Sequence, residues 1–129
     1  MLANMPLIAI VDDDAAVREA LEDLLQVAGF GGKGYVGAAD LLDDRTRERF
    51  AMIITDLRMP KIDGIELIRR LRAGGATMPI LVLTSCTEGQ VRQRALAAGA
   101  ADCFTKPVDK NVLLQRIYTA LDLSHVPDN

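Results

Sequence analysis

The sequence predicts an α/β fold: one five-stranded parallel sheet, doubly wound by helices on both faces in a (βα)5 alternation. Three observations carry this expectation. Short apolar runs alternate along the chain with longer segments in which apolar residues recur at helical spacing. The runs are apolar on successive residues, the pattern of strands covered on both faces rather than on one. Glycines stand where the helical patterns stop. Such sheets have right-handed crossovers and bind ligands outside the carboxyl ends of their strands, near the topological switch point.

Each element has its own signal. LIAIV (7–11) is a β-branched apolar run and the first strand. Val17, Ala20, Leu21, Leu24, Leu25 and Ala28 then repeat at helical spacing, with Gly29 placed to end the helix. KGYV (33–36) is a weak second strand, AADLLDD (38–44) a short helix, and RTRERF (45–50) a charged, solvated connection. AMIIT (51–55) is the third strand; Ile65, Ile68 and Leu71 mark a helix closed by Gly74 and Gly75. PILVLT (79–84) is the fourth strand, and Val91, Ala95 and Ala98 place a helix ending near Gly99. DCFT (102–105) is the fifth strand, and Leu113, Leu114, Ile117 and Leu121 give the last helix.

The 129 residues fit a single domain over 1–129, with an ordered core of about 5–123 and a polar tail or linker start at 124–129, where His125 has no expected role. Half the residues are hydrophobic, with no Trp and few aromatics, so the core is Leu, Ile, Val and Ala. A net charge of −3 argues against nucleic acid as a partner of this domain itself. Cys86 and Cys103 have neither metal-ligand spacing nor a disulfide framework, which suits a reducing, cytoplasmic setting. The first residues are too lightly charged for a signal peptide, and no apolar run reaches the ~18 residues of a membrane span.

Polarity gathers at the strand ends. The first strand runs into Asp12-Asp13-Asp14, the third into Asp56, the fourth into Thr84-Ser85 and the fifth into Lys106-Pro107. In a parallel sheet these four sets share one edge. A carboxylate closing a buried strand is costly to desolvate, so a compensating partner is expected at Asp56. Several carboxylates in one pocket repel one another, and a hard divalent cation relieves that; few protein oxygens and room for waters and phosphate suit Mg²⁺. Lys106 adds a mobile positive charge and Thr84 a hydroxyl. Together they can hold a phosphoryl group, and an aspartate can accept one covalently.

IVDDD after the first strand, TDLRMPKIDG after the third, LTS after the fourth and KP after the fifth resemble the receiver domain of two-component response regulators, with the third motif most similar to the FixJ/NarL type. The resemblance spans Leu7 to about Leu123 and implies the flavodoxin-like receiver fold. It implies that Asp56 is the phosphoacceptor, that Asp12, Asp13 and Asp56 bind Mg²⁺ with the backbone carbonyl of Arg58, and that Lys106 pairs with the phosphoryl oxygens. It further implies that Thr84 moves to the phosphoryl group, that Ser85 and Leu57 lie in contact with it, and that the Lys106-Pro107 bond is cis. A sensor histidine kinase is the implied donor, and an output domain or a second copy the implied receiver of the signal, with no membrane partner. The domain modifies itself and has no turnover substrate.

Three positions bear on how closely the chain follows that pattern. Where the family has Tyr or Phe as a switch ring, this chain has Cys103; the adjacent Phe104 should face the other side of its strand. Thr84 is therefore expected to lead a smaller switch. Arg58 and Cys86, two residues after Asp56 and Thr84, offer no amide or carboxylate to align water, which predicts slow loss of the phosphoryl group. Asp14 and Asp63 read as helix caps. An alternative reading is a phosphatase of the haloacid dehalogenase type, with Asp12 of Asp12-x-Asp14 as nucleophile; it leaves Asp56 without a role.

Overall fold

In the computed structural model, residues 5–87 and 89–121 are described. The expected tail, His125 included, lies outside them. The elements run β1 (Leu7–Val11), α1 (Ala15–Val27), β2 (Gly31–Tyr35), α2 (Ala38–Asp43), β3 (Met52–Thr55), α3 (Gly64–Ala73), β4 (Ile80–Thr84), α4 (Val91–Ala98), β5 (Asp102–Thr105) and α5 (Lys110–Ala120). The strands form one parallel sheet in the order β2-β1-β3-β4-β5. The chain winds outward in one direction from β1 and then in the other from β3, so the switch point lies between these two strands.

The unbroken apolar runs now have a cause. Successive strand side chains point to opposite faces. Ala9, Val11, Ile53, Ile80 and Val82 join Leu67, Ile68, Leu71 and Ala95 in one core, whereas Ile8, Ile10, Met52, Ile54 and Leu81 join Leu21, Leu25, Leu113 and Ile117 in the other. Each fully buried Leu or Ile contributes about 1.5–3 kcal/mol of transfer free energy. Cys103 falls in the first core and Phe104 packs against the second, as the strand period requires.

Three expectations need correction. The second strand is Gly31–Tyr35, not 33–36, and Val36 is exposed beyond it. Its glycines run against β-propensity; at Gly34 a Cβ would meet side chains of α1, Glu22 Oε2 at 2.7 Å and Arg18 Cδ at 3.1 Å. The short helix ends at Asp43, because Asp44 turns extended. The charged connection is not merely solvated: Arg47–Arg49 form a 3-10 turn, Phe50 is buried, and the Arg49 guanidinium lies 4.5 Å over its ring. There Asp44 accepts a hydrogen bond from the Tyr35 hydroxyl. Burial and that partner push the Tyr35 phenol up to about 12, and the same bond holds Asp44 well below the usual carboxylate range.

Candidate functional site

Val11 and Thr55 pair in register, so the residues that follow them, Asp12 and Asp56, emerge side by side at the switch point. The backbone continues the ladder one step further, with the Asp56 amide donating to Val11 O at 2.9 Å and the Asp12 amide to Tyr35 O at 3.1 Å. Asp12 and Asp56 are buried and Asp13 is exposed at the rim. One carboxylate oxygen from each of the three lies within 4.8 Å of the other two.

Local bonds aim these side chains. Asp12 Oδ1 accepts from the Asp14 amide at 2.9 Å, and Arg18 donates to the Asp12 carbonyl at 2.7 Å. Asp56 Oδ1 accepts from the Leu57 amide at 2.7 Å and from the Arg58 amide at 3.4 Å. Asp14 caps α1, accepting from the amides of Ala16 and Val17, and Asp63 caps α3, accepting from that of Glu66. Both therefore serve as caps, as their sequence positions predict.

Gly64, the first residue of α3, is pressed onto the acceptor's own backbone. A Cβ there would lie 2.3 Å from Asp56 O and 2.9 Å from Leu57 Cα. The Gly64 amide donates to Leu57 O at 2.9 Å, closing the loop that contains Pro60. Within it Lys61 holds a left-handed conformation at φ 70°.

Lys106 completes the nest from β5. Its amide donates to Thr84 O at 2.8 Å, and its ammonium donates to Asp12 Oδ2 at 2.8 Å and to Asp56 Oδ2 at 3.3 Å. The peptide bond to Pro107 is cis, as expected. Burial by itself would lower the pKa of this ammonium, but the bond to Asp12 and the charges of Asp56 and Asp12 outweigh it and the net shift is upward. Thr84 is buried, and its hydroxyl oxygen accepts from the Cys86 amide at 3.1 Å. Ser85 is exposed at the strand end, and Leu57 is buried with its amide turned to Asp56. The exposed Arg58 donates its guanidinium to Cys86 Sγ at 3.4 Å. These two line an open cleft of about 550 Å³ together with Asp13, Asp63 and Arg94.

Three carboxylates against one ammonium leave an excess of negative charge in a part-buried site. The donors are all hard oxygens, the set that a small divalent cation takes. Asp12, Asp13 and Asp56 therefore fit Mg²⁺.

Sequence reading missed Asp102. It opens β5 yet is buried, accepting from Arg116 Nε at 2.7 Å and pairing with Arg92 at 2.8 Å. Desolvation raises its pKa, but the Cys103 amide and the two guanidiniums prevail and the net shift is downward. The available signal was an aspartate opening a strand, which is also an ordinary turn residue.

The family model described as the response regulator receiver domain matches residues 8–118. The chain is 37% identical over 114 residues to the transcriptional regulatory protein FixJ of Bradyrhizobium diazoefficiens, covering 88% of this chain and 56% of that protein. It is 36% identical over 117 residues to the response regulator TodT of Pseudomonas putida, covering 91% and 52%. It thus spans about half the length of these curated relatives. Among solved structures, full-length FixJ from B. japonicum superposes with a TM-score of 0.84 at 36% identity, covering 91% of this chain and 58% of that one. A BeF3-activated DrrB receiver domain gives 0.84 at 27% identity, covering 92% and 98%.

Proposed function

This chain belongs to the response regulator receiver domain family, and we propose that Asp56 is the acceptor through which it works as a phosphorylation switch. In this reading an Asp56 carboxylate oxygen attacks the phosphorus of a phosphohistidine on a sensor kinase. The N–P bond breaks, the imidazole leaves with its electron pair, and an acyl phosphate remains on Asp56. The observation that carries it is Lys106 Nζ at 3.3 Å from Asp56 Oδ2 while anchored on Asp12 at 2.8 Å: a cation placed to follow the new phosphoryl oxygens.

Asp12, Asp13, Asp56 and the Arg58 carbonyl would hold Mg²⁺, which when bound supplies positive charge against the phosphoryl oxygens. The chain's own residues do the rest. The Leu57 and Arg58 amides fix the carboxylate, so little orientation is left to find at the moment of transfer. Leu57 and Ser85 flank the space for the phosphoryl group. Thr84 turns its hydroxyl from the Cys86 amide to a phosphoryl oxygen, and Cys103, lacking a ring, leaves Thr84 to lead the response. The event is a local gain of charge biasing a two-state element. Among the described residues no helix is long and apolar enough to cross a membrane. We place the domain in the cytoplasm, with a sensor kinase as donor and an output domain or second copy reading the altered surface; the transcriptional role in FixJ's name supports the former.

The phosphatase reading with Asp12 as nucleophile is overturned by the receiver-family match. Incubation with acetyl phosphate and Mg²⁺, followed by intact mass, tests the proposal. The chain should gain one phosphoryl group and Asp56→Asn none; labelling of the Asn variant would sink it.

A further inference from the structure

Strand β2 reads GGKGY and gives up β-propensity at three of its five positions. Gly34 has no positive φ, so its backbone conformation does not call for glycine. Space does. A Cβ there would stand 2.7 Å from Glu22 Oε2, 3.1 Å from Arg18 Cδ and 3.5 Å from Arg18 Nε. Two half-buried side chains of α1, one turn apart, thus lie across the bare strand at this point.

One of them continues to the acidic edge. Val11 pairs with Tyr35, so Gly34 lies one residue before the end of β2, next to the ladder bond from the Asp12 amide to Tyr35 O. Passing over Gly34, Arg18 Nη1 donates to Asp12 O at 2.7 Å, a short, charge-assisted bond. That oxygen belongs to the peptide joining Asp12 to Asp13.

Asp13 is the residue that depends on this peptide. Asp12 and Asp56 are aimed by bonds to their own carboxylates, from the Asp14 and Leu57 amides and from Lys106. Asp13 is exposed at the rim, and among the described residues no hydrogen bond is donated to its carboxylate. Its oxygen nevertheless lies within 4.8 Å of one from each of the other two. Rotation of the Asp12–Asp13 peptide about its Cα–Cα axis would swing the Asp13 Cβ away from that cluster, and the bond from Arg18 opposes this rotation.

Resting on the reading of Asp12, Asp13 and Asp56 as the Mg²⁺ site, we propose that Arg18, laid over the bare floor at Gly34, is a positioning residue that holds the Asp12–Asp13 peptide and so keeps the Asp13 carboxylate where the cation takes it. Arg18 is no ligand. Its positive charge works against a cation nearby, so its two effects have opposite signs. A residue present for its charge alone would weaken Mg²⁺ binding, whereas one that positions Asp13 strengthens it.

The test is titration of the full chain with Mg²⁺, followed by amide and carbonyl NMR, for wild type, Arg18→Met, Arg18→Lys, Gly34→Val and the double variant Arg18→Met/Gly34→Val. Arg18→Met keeps the apolar stem and removes a repelling charge, yet it should weaken Mg²⁺ binding about tenfold, the low end for loss of a group that orients a ligand. Arg18→Lys, with the charge and a donor kept, should recover part of the loss. Gly34→Val leaves the charge in place and adds β-propensity, but its branched side chain displaces the guanidinium, so it should weaken binding to a similar extent without lowering the melting temperature. The double variant should bind no more weakly than Arg18→Met, because both changes remove one contact. In the metal-free chain, the Asp12 carbonyl carbon and the Asp13 amide should shift alike in Arg18→Met and Gly34→Val, while the Asp56 and Leu57 amides stay in place. Equal or tighter Mg²⁺ binding by Arg18→Met would overturn the proposal, whether or not Gly34→Val folds. Additive losses in the double variant would overturn the role of the Gly34 floor. Wild-type binding matched by every variant would overturn the proposal alone; a wild-type chain with no Mg²⁺-induced shift at Asp12, Asp13 or Asp56 would overturn the metal-site reading with it.

Discussion

Replacing Gly64 with alanine separates the helix's preference from the site's needs. Gly64 opens α3 with an ordinary φ, so alanine should add helix propensity, at most the ~1 kcal/mol of a helix interior. Against this, its Cβ would stand 2.3 Å from Asp56 O, 2.8 Å from Leu57 Cδ2 and 2.9 Å from Leu57 Cα. Two of these are backbone atoms that cannot swing aside, and contact between heavy atoms is comfortable only near ~3.5 Å. The helix start or the Asp56–Leu57 backbone must therefore retreat by about 1 Å, and overpacking of this kind costs about 1–3 kcal/mol. The bond from the Gly64 amide to Leu57 O strains with it, so the overlap should win: a net loss of about 1–2 kcal/mol, or a melting temperature lower by about 3–6 °C. Because the displaced backbone carries the acceptor, the rate of phosphorylation by acetyl phosphate should fall further than stability does, by on the order of 10²-fold for a misplacement of that size. Thermal melts and timed intact-mass measurements read the two effects. A variant as stable as wild type that is labelled at the wild-type rate would refute the claim that this close approach positions Asp56.

Other outcomes follow from the same geometry. Asp102 has a depressed pKa in the fold, so its contribution is present above the unfolded carboxylate value of ~3.9 and lost as pH falls through the folded value. Asp102→Asn should cost about 1–3 kcal/mol at neutral pH and flatten the acid limb of a stability–pH curve below about pH 5; an unchanged limb would show that its arginines contribute no linkage. Lys61→Gly should relieve about 1–2 kcal/mol of left-handed strain while losing about 0.5–1 kcal/mol to glycine's freedom when unfolded, for a small net rise in melting temperature; a fall would contradict it. With Arg58 and Cys86 two residues beyond Asp56 and Thr84, acyl phosphate should persist for minutes or longer once donor is removed, and decay within seconds in a quench series would exclude this.

Much of the site was legible because it is carried by order along the chain. Asp12, Asp56, Thr84 and Lys106 each follow an apolar run, and a parallel sheet sends every such end to one edge; register then puts Asp12 beside Asp56. The caps at Asp14 and Asp63 were legible for the same reason, since a cap and its helix lie within three residues. Asp102 was not, because its partners Arg92 and Arg116 lie ten and fourteen residues away on different helices, and a surface arginine carries no mark of what it will meet. β2 was misread at its start because a strand of glycines violates propensity, and its bounds are set by pairing with β1 across the sheet.

By itself, then, the sequence determined the alternation of elements, the two-faced cores and the acidic edge, because these depend on periodicity and on a residue's place after a strand. Tertiary structure decided which charges compensate which, how close Gly64 stands to the acceptor, and how Arg18 crosses β2 to reach the Asp12 carbonyl. Those depend on distances across elements, and no local pattern encodes such distances.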